Sequence, residues 1–156
     1  MTDMNHLKDD GSVHMVDIGS KSTSQRLATA VADVSLGQAT SERLFGGSLP
    51  KGDALATIRI AAIQATKRTP DLIPLCHPLQ ISGVDVEVDR TESGASITGT
   101  VKVEGKTGVE MEAMTGAAVG ALALYDMVKG IDRSAEVTSV RLLTKSGGAS
   151  GEWIRG

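Results

Sequence analysis

The chain has one cysteine, Cys76, in 156 residues, so no intrachain disulfide can form and the fold must be held by its own core. Aromatic residues are nearly missing. Phe45, Tyr125 and Trp153 are the only three, which leaves the interior to Ala, Val, Ile, Leu and Met and removes the stacking platforms of single-strand nucleic-acid binders. There is no run of about 18 apolar residues of the kind a membrane-spanning helix needs. The first twelve residues, MTDMNHLKDDGS, have neither an apolar signal core nor an arginine-rich amphipathic pattern. A soluble, cytoplasmic protein of a reducing compartment is expected, with no membrane partner. A basic excess is missing too: Lys+Arg total 16 against Asp+Glu 19, a formal charge of -3. General nucleic-acid binding needs a basic footprint, so any anionic ligand must be met by local groups.

What is present suffices for one domain, since a chain of this size buries about 70% of its unfolded surface. Residues 1–12 are polar and 146–156 are rich in glycine and serine, so both are expected to be mobile without a ligand. The single domain spans 13–145. Residues 15–18 and 26–34 read as strands, and 41–50, with Gly46-Gly47 and Pro50, as a loop that leads to Lys51. Asp53 is a suitable N-cap for a helix in which Leu55, Ile58 and Ala62 recur at helical spacing, and Pro70 cannot continue it. Residues 79–90 alternate as a strand but change phase, which a bulge at Gly83 explains. Ala95, Ile97, Val101 and Val103 alternate again, making an antiparallel hairpin turning at 91–94. Residues 113–128 are apolar around nearly the whole circumference and predict a buried helix, in which Gly116 and Gly120 lower propensity yet admit a close neighbour. A last strand covers 137–144. The fold class is α+β: a ferredoxin-like plait, mostly antiparallel, with two main helices on one face.

Four groups of residues carry chemistry. Gly105-Lys106-Thr107 sits between a strand and a helix, where a phosphate loop would be. The glycine that a P-loop places five residues earlier is Thr100, however, so the spacing fails and a glycine turn with a solvated lysine is the favoured reading. Glu110 and Glu112 point to one side if the chain is still extended there, and two close carboxylates can push one pKa up; alternatively they serve only the helix dipole. In Pro74-Leu75-Cys76-His77-Pro78 the prolines fix the direction of the Cys-His pair, but the ligands for a metal are too few, leaving His77 as a donor to an anion or as an ordinary half-buried histidine. Asp126 and Lys129, three apart at the end of the apolar helix, share a face. If partly desolvated there, each tunes the other, and Asp126 becomes suited to moving protons. Lys51, Lys106 and Lys145 each stand where an element meets a glycine-containing loop. The residues describe an anion-binding cleft with proton-transfer groups. They do not name a reaction, and a non-catalytic oligomeric nucleotide-binding regulator on the same plait remains open.

Taken in order, KGDALATIRIAAIQATKRTPDLIPLCHPL, GKTGVEMEA, YDMVK and VRLLTKSGG closely resemble the molybdenum cofactor biosynthesis protein C family, the cyclic pyranopterin monophosphate synthases. The resemblance implies a homohexamer, a trimer of dimers, with active sites between subunits. It implies conversion of a cyclised dihydro-GTP, made by an upstream radical S-adenosylmethionine enzyme, to cyclic pyranopterin monophosphate with release of pyrophosphate, in a phosphorus-oxygen lyase that uses no metal or other cofactor. By motif, Asp126 and Lys129 are the catalytic pair. Leu75, Cys76, His77, Glu110, Met111 and Glu112 are substrate-binding, and Lys51 and Lys145 are placed at the triphosphate. The sequence departs from the family at Gly116 and Gly120, where small side chains are more usual, and at Ala149, where a lysine often stands.

Overall fold

The computed structural model describes residues 7, 8 and 10–156. Its elements, in chain order, are β1 (Ser24–Ser35), α1 (Gln38–Phe45), α2 (Ala54–Lys67), α3 (Thr69–Leu72), β2 (Ile81–Thr91), β3 (Gly94–Gly105), α4 (Glu110–Val128), β4 (Glu136–Ser146) and β5 (Trp153–Ile154). The strands form one antiparallel sheet in the order β2-β3-β1-β4-β5. α2 and α4 pack together, and both lie against the sheet, giving the expected α+β plait.

The inward row of β1 is Ala28, Ala30, Ala32 and Val34, all essentially inaccessible to solvent. Methyl-sized side chains there let α4 settle close to the sheet, and the core is completed by Ile58, Ile97, Val101, Val103 and Leu124. Gly116 and Gly120 serve the same closeness on the helix side. A Cβ at Gly120 would lie 2.9 Å from Cγ2 of Ile97 and 3.3 Å from Cβ of Ala62, and one at Gly116 would overlap the hydroxyl of Thr66. The glycines therefore exchange helix propensity for contact between α4, α2 and β3.

The hairpin, the bulge and the α2 cap follow the sequence reading. β2 and β3 change register between Ile81 and Gly83, and the Asp53 carboxylate accepts from the Ala56 N–H at 3.0 Å. Three expectations are corrected. Residues 41–50 are not all loop, because α1 occupies their start. Its inward residues are Thr40, Ser41 and Leu44, and the two hydroxyl side chains hide the apolar period. Residues 15–18 form no strand: the segment pairs with neither edge of the sheet and runs extended with Val16 and Ile18 turned inward, its carbonyl at Val16 held by His77 instead of by a strand. α4 begins at Glu110, a turn earlier than the apolar run, so Glu110 and Glu112 belong to a helix and not to an extended approach. Of the amino-terminal stretch expected to be mobile, residues 1–6 and 9 lie outside the described residues. The glycine-rich carboxy-terminal stretch ends in β5, which pairs Thr144 with Ile154 and Lys145 with Trp153. Arg155 follows, its backbone N–H donating to Leu143 O and its Nε to Leu142 O, with the guanidinium 5.5 Å from the Trp153 ring.

Candidate active site

The carboxy-terminal end of α4 carries a three-residue ionic cluster. Asp126 Oδ1 is 2.7 Å from Lys129 Nζ, and Oδ2 is 2.9 Å from Lys51 Nζ, brought in by the turn that precedes α2. Lys51 also donates to the Asp126 carbonyl oxygen at 2.6 Å, a group that a helix end would otherwise leave to solvent. Hydrogen bonds from Lys129 and then Lys51 hold the Asp126 carboxyl below the usual range, while the Asp126 carboxylate holds Lys129 above its own. The desolvation expected for this pair is not found within one chain. The Asp126 and Lys129 side chains are 56% and 52% exposed, because they leave the outer side of a helix end whose Leu124, Met127 and Val128 are buried in the core.

At the other end of α4 a cavity of about 300 Å³ collects Leu75, Cys76, His77, Glu110, Met111 and Glu112, all six assigned by motif to the substrate. α3 and the prolines that follow it turn residues 75–77 onto the first turn of α4, where Thr66 Oγ1 donates to the Glu112 carbonyl at 3.3 Å. Glu112 is 3% exposed, and burial, with a smaller push from the charge of Glu110, raises its pKa; the Cys76 thiol is raised by burial and then by Glu112. Both shifts favour neutral forms. His77 is not free to meet an anion with both ring nitrogens: its Nε2 lies 2.8 Å from the Val16 carbonyl oxygen, so the ring anchors the extended segment that crosses the cavity.

A larger cavity of about 690 Å³ adjoins the first, sharing Lys21, Thr107, Gly108 and Glu110. Its cations are Lys21, Arg26, Lys106 and Lys145, with Glu110 set against them. Lys145 Nζ is 3.0 Å from Glu110 Oε1 and 3.2 Å from Ser150 Oγ, while Lys106 donates to Gly19 O at 2.6 Å. In a chain of formal charge -3 this concentration of positive groups beside the first turn of a helix is complementary in charge to an anion.

The structure thus brings Lys145 to Glu110, and Leu75, Cys76 and His77 to Met111 and Glu112. It does not bring Lys51 to Lys145, since Lys51 sits with Asp126 and Lys129. Nor do the two ends of α4 meet within one chain, because the fourteen residues from Glu112 to Asp126 span about 21 Å at the helical rise. Sequence reasoning passed over Lys21 and Arg26. Lys21 lies in a polar stretch that gave no signal, but Arg26 had one, being the charged residue on the same face of β1 as Ala28, Ala30, Ala32 and Val34. Among the described residues no cluster of three His, Cys, Asp or Glu side chains suits a metal ion.

Residues 15–148 match the MoaC family. Over 156 residues, 99% of each chain, the protein is 51% identical to the cyclic pyranopterin monophosphate synthase of Roseiflexus castenholzii. It is 51% identical over 152 residues to the Streptomyces griseus protein of that name, covering 97% of this chain and 86% of that one. The Herpetosiphon aurantiacus protein of the same name is also 51% identical over 152 residues, 96% of this chain and 93% of its own.

Proposed function

This chain belongs to the MoaC family, and from that premise we propose that it acts as a cyclic pyranopterin monophosphate synthase in molybdenum cofactor biosynthesis. The substrate is a cyclised dihydro-GTP and the products are cyclic pyranopterin monophosphate and pyrophosphate, as the family resemblance implies for a phosphorus-oxygen lyase. The observation that carries the reading is the pair of adjoining cavities at the start of α4. One is walled by Lys21, Arg26, Lys106 and Lys145 and sized for a triphosphate, and the other is lined by Cys76, His77 and Glu112 for the base-derived ring.

Asp126 and Lys129 are the catalytic pair in this reading. Ring opening and pterin closure need protons moved near neutral pH, and the Asp126 carboxylate becomes suited to accept and return them once a partner protomer's cavity closes over it and burial raises its pKa again. Closing the cyclic phosphate requires a sugar oxygen to form a bond to the α-phosphorus as the bond to the β-phosphate oxygen breaks. The ammoniums of the large cavity, Lys21, Lys106 and Lys145, align the triphosphate and neutralise the departing pyrophosphate. Because Asp126 and Glu112 are about 21 Å apart along α4, the complete site takes Lys51, Asp126 and Lys129 from one protomer and the cavities from another, consistent with a homohexamer built as a trimer of dimers. A cytoplasmic location, downstream of the radical S-adenosylmethionine enzyme that cyclises GTP, completes the reading. No helix among the described residues is long and apolar enough to cross a membrane.

The test is to incubate the purified protein with the enzymatically cyclised nucleotide and to assay pyrophosphate and a fluorescent oxidised pterin. Both are expected to appear in equal amounts. Recovery of unchanged nucleotide would refute the assignment.

A further inference from the structure

We propose that Arg26 is a positioning residue, one whose guanidinium ties together the two glycine loops that wall the large cavity and so sets the spacing of its cations; the catalytic part of this inference rests on reading that cavity as the polyphosphate site. The topology puts Arg26 where both loops begin. β1 lies between β3 and β4 and is antiparallel to each, so both neighbours end beside its start: Ser24 pairs with Gly105, and Leu27 with Ser146. From Gly105 the chain leads to Lys106 and α4, and from Ser146 into Gly147 and Gly148.

The side chain is bound to both exits. Nε donates to the Gly105 carbonyl oxygen at 3.0 Å. The rest of the fork fills the space over Gly148, where a Cβ would overlap Nη1 and lie within 2.8 Å of Cζ. Gly148 has φ +75° and Gly147 φ +93°, and a Cβ at Gly147 would overlap the Gln25 carbonyl oxygen, so this corner is folded tightly onto the strand that carries Arg26. A planar guanidinium can donate along one edge while a backbone packs against the remainder; a lysine ammonium is a single point on a flexible stem and cannot do both. Lys106 immediately follows one exit and Lys145 immediately precedes the other. One rigid plane therefore fixes two loops and, through them, two of the phosphate-facing ammoniums. This also explains why a charged side chain stands in the otherwise apolar inward row of β1.

The experiment compares Arg26→Lys, Gly148→Ala and the double variant in the full-length protein, by amide hydrogen exchange without ligand, inorganic pyrophosphate titration and steady-state turnover of the cyclised nucleotide. Arg26→Lys is expected to speed exchange of the amides of residues 146–151 while those of β1, β3 and α4 stay protected. It is expected to raise KM about tenfold with kcat changed less than about threefold, the pattern of lost ground-state positioning. Gly148→Ala displaces the guanidinium from the other side and is expected to give the same signature, and the double variant to be no worse than the poorer single one. Unchanged loop exchange in ligand-free Arg26→Lys, even with a raised KM, would make Arg26 a simple phosphate contact and overturn the inference. Additive effects in the double variant would also overturn it. The exchange measurement needs no substrate, so it stands apart from the activity assay: wild-type protein that turns nothing over refutes the synthase reading alone.

Discussion

Lys51 Nζ holds Asp126 twice, donating to its carboxylate at 2.9 Å and to its backbone carbonyl at 2.6 Å, so one side chain both closes the end of α4 and sets the charge of the acid beside it. Asp126→Asn should lower kcat by at least about a hundredfold, the range for loss of a positioned acid-base group, while leaving substrate affinity within a few-fold. The measurement is single-turnover pterin formation together with ligand titration; undiminished turnover removes Asp126 from the chemistry. The Asp126 pKa lies below its ordinary 3.8 in the folded chain, so its ionised form persists through neutrality and is lost only as pH falls through that depressed value. Lys51→Ala takes away one of two cations and should move the acidic limb of the rate profile upward, toward the ordinary carboxylate position.

For Lys145, the 3.0 Å contact to Glu110 holds the ammonium in the large cavity against a carboxylate that lines both cavities. Lys145→Ala is expected to weaken pyrophosphate binding about tenfold, as loss of a charge-assisted hydrogen bond does. Assembly, followed by light scattering, should be unchanged. Equal affinity in calorimetry would withdraw Lys145 from the phosphate site.

Glu112 is the buried acid of the site, and its folded pKa is raised first by burial. A raised carboxyl pKa means the folded chain holds the proton longer than the unfolded chain. The two are equally protonated at low pH, and the folded state loses stability as pH climbs from the unfolded value through the folded one. Glu112→Gln should flatten that dependence and stabilise the ligand-free protein near neutral pH relative to the wild type, while weakening substrate binding. Denaturant unfolding between pH 4 and 8 decides it, and parallel curves for the two proteins would exclude ionisation at this position.

Gly120→Ala sets two effects against each other. Alanine improves helix propensity by about 1 kcal/mol, but its methyl would stand 2.9 Å from Ile97 Cγ2 in a close-packed core, an overpacking that costs about 1 to 3 kcal/mol. The packing term wins, and a lower urea midpoint with an unchanged slope is expected. A higher midpoint would show that α4 has room to shift.

The hairpin and the capped α2 were legible because each has one face buried by the chain's own core, and that writes a period of two or near four into the sequence; α4 was legible from its long, nearly unbroken apolar run. α1 was not, since Thr40 and Ser41 bury hydroxyls and Ser41 Oγ bonds the Gly94 carbonyl, satisfying polarity without an apolar pattern. Residues 15–18 alternate like a strand because one side faces protein, yet alternation says nothing about whether a hydrogen-bonding neighbour is vacant. In the site, short-range pairs such as Asp126 and Lys129 could be read from spacing. The partnership of Lys51 with Asp126 and the convergence of Lys21, Arg26 and Lys145 depend on chain crossings that no local pattern encodes. The resemblance named most of the residues, but it did not say which of them share a neighbourhood.

If the site is completed across protomers as proposed above, the length of α4 makes a two-part lock whose halves travel on different copies. If Asp126→Asn and Cys76→Arg chains are each inert, dissociating and reassembling them together should restore measurable turnover, because some interfaces then receive an intact helix end from one parent and an intact cavity from the other. A bystander copy can in this way rescue a damaged one.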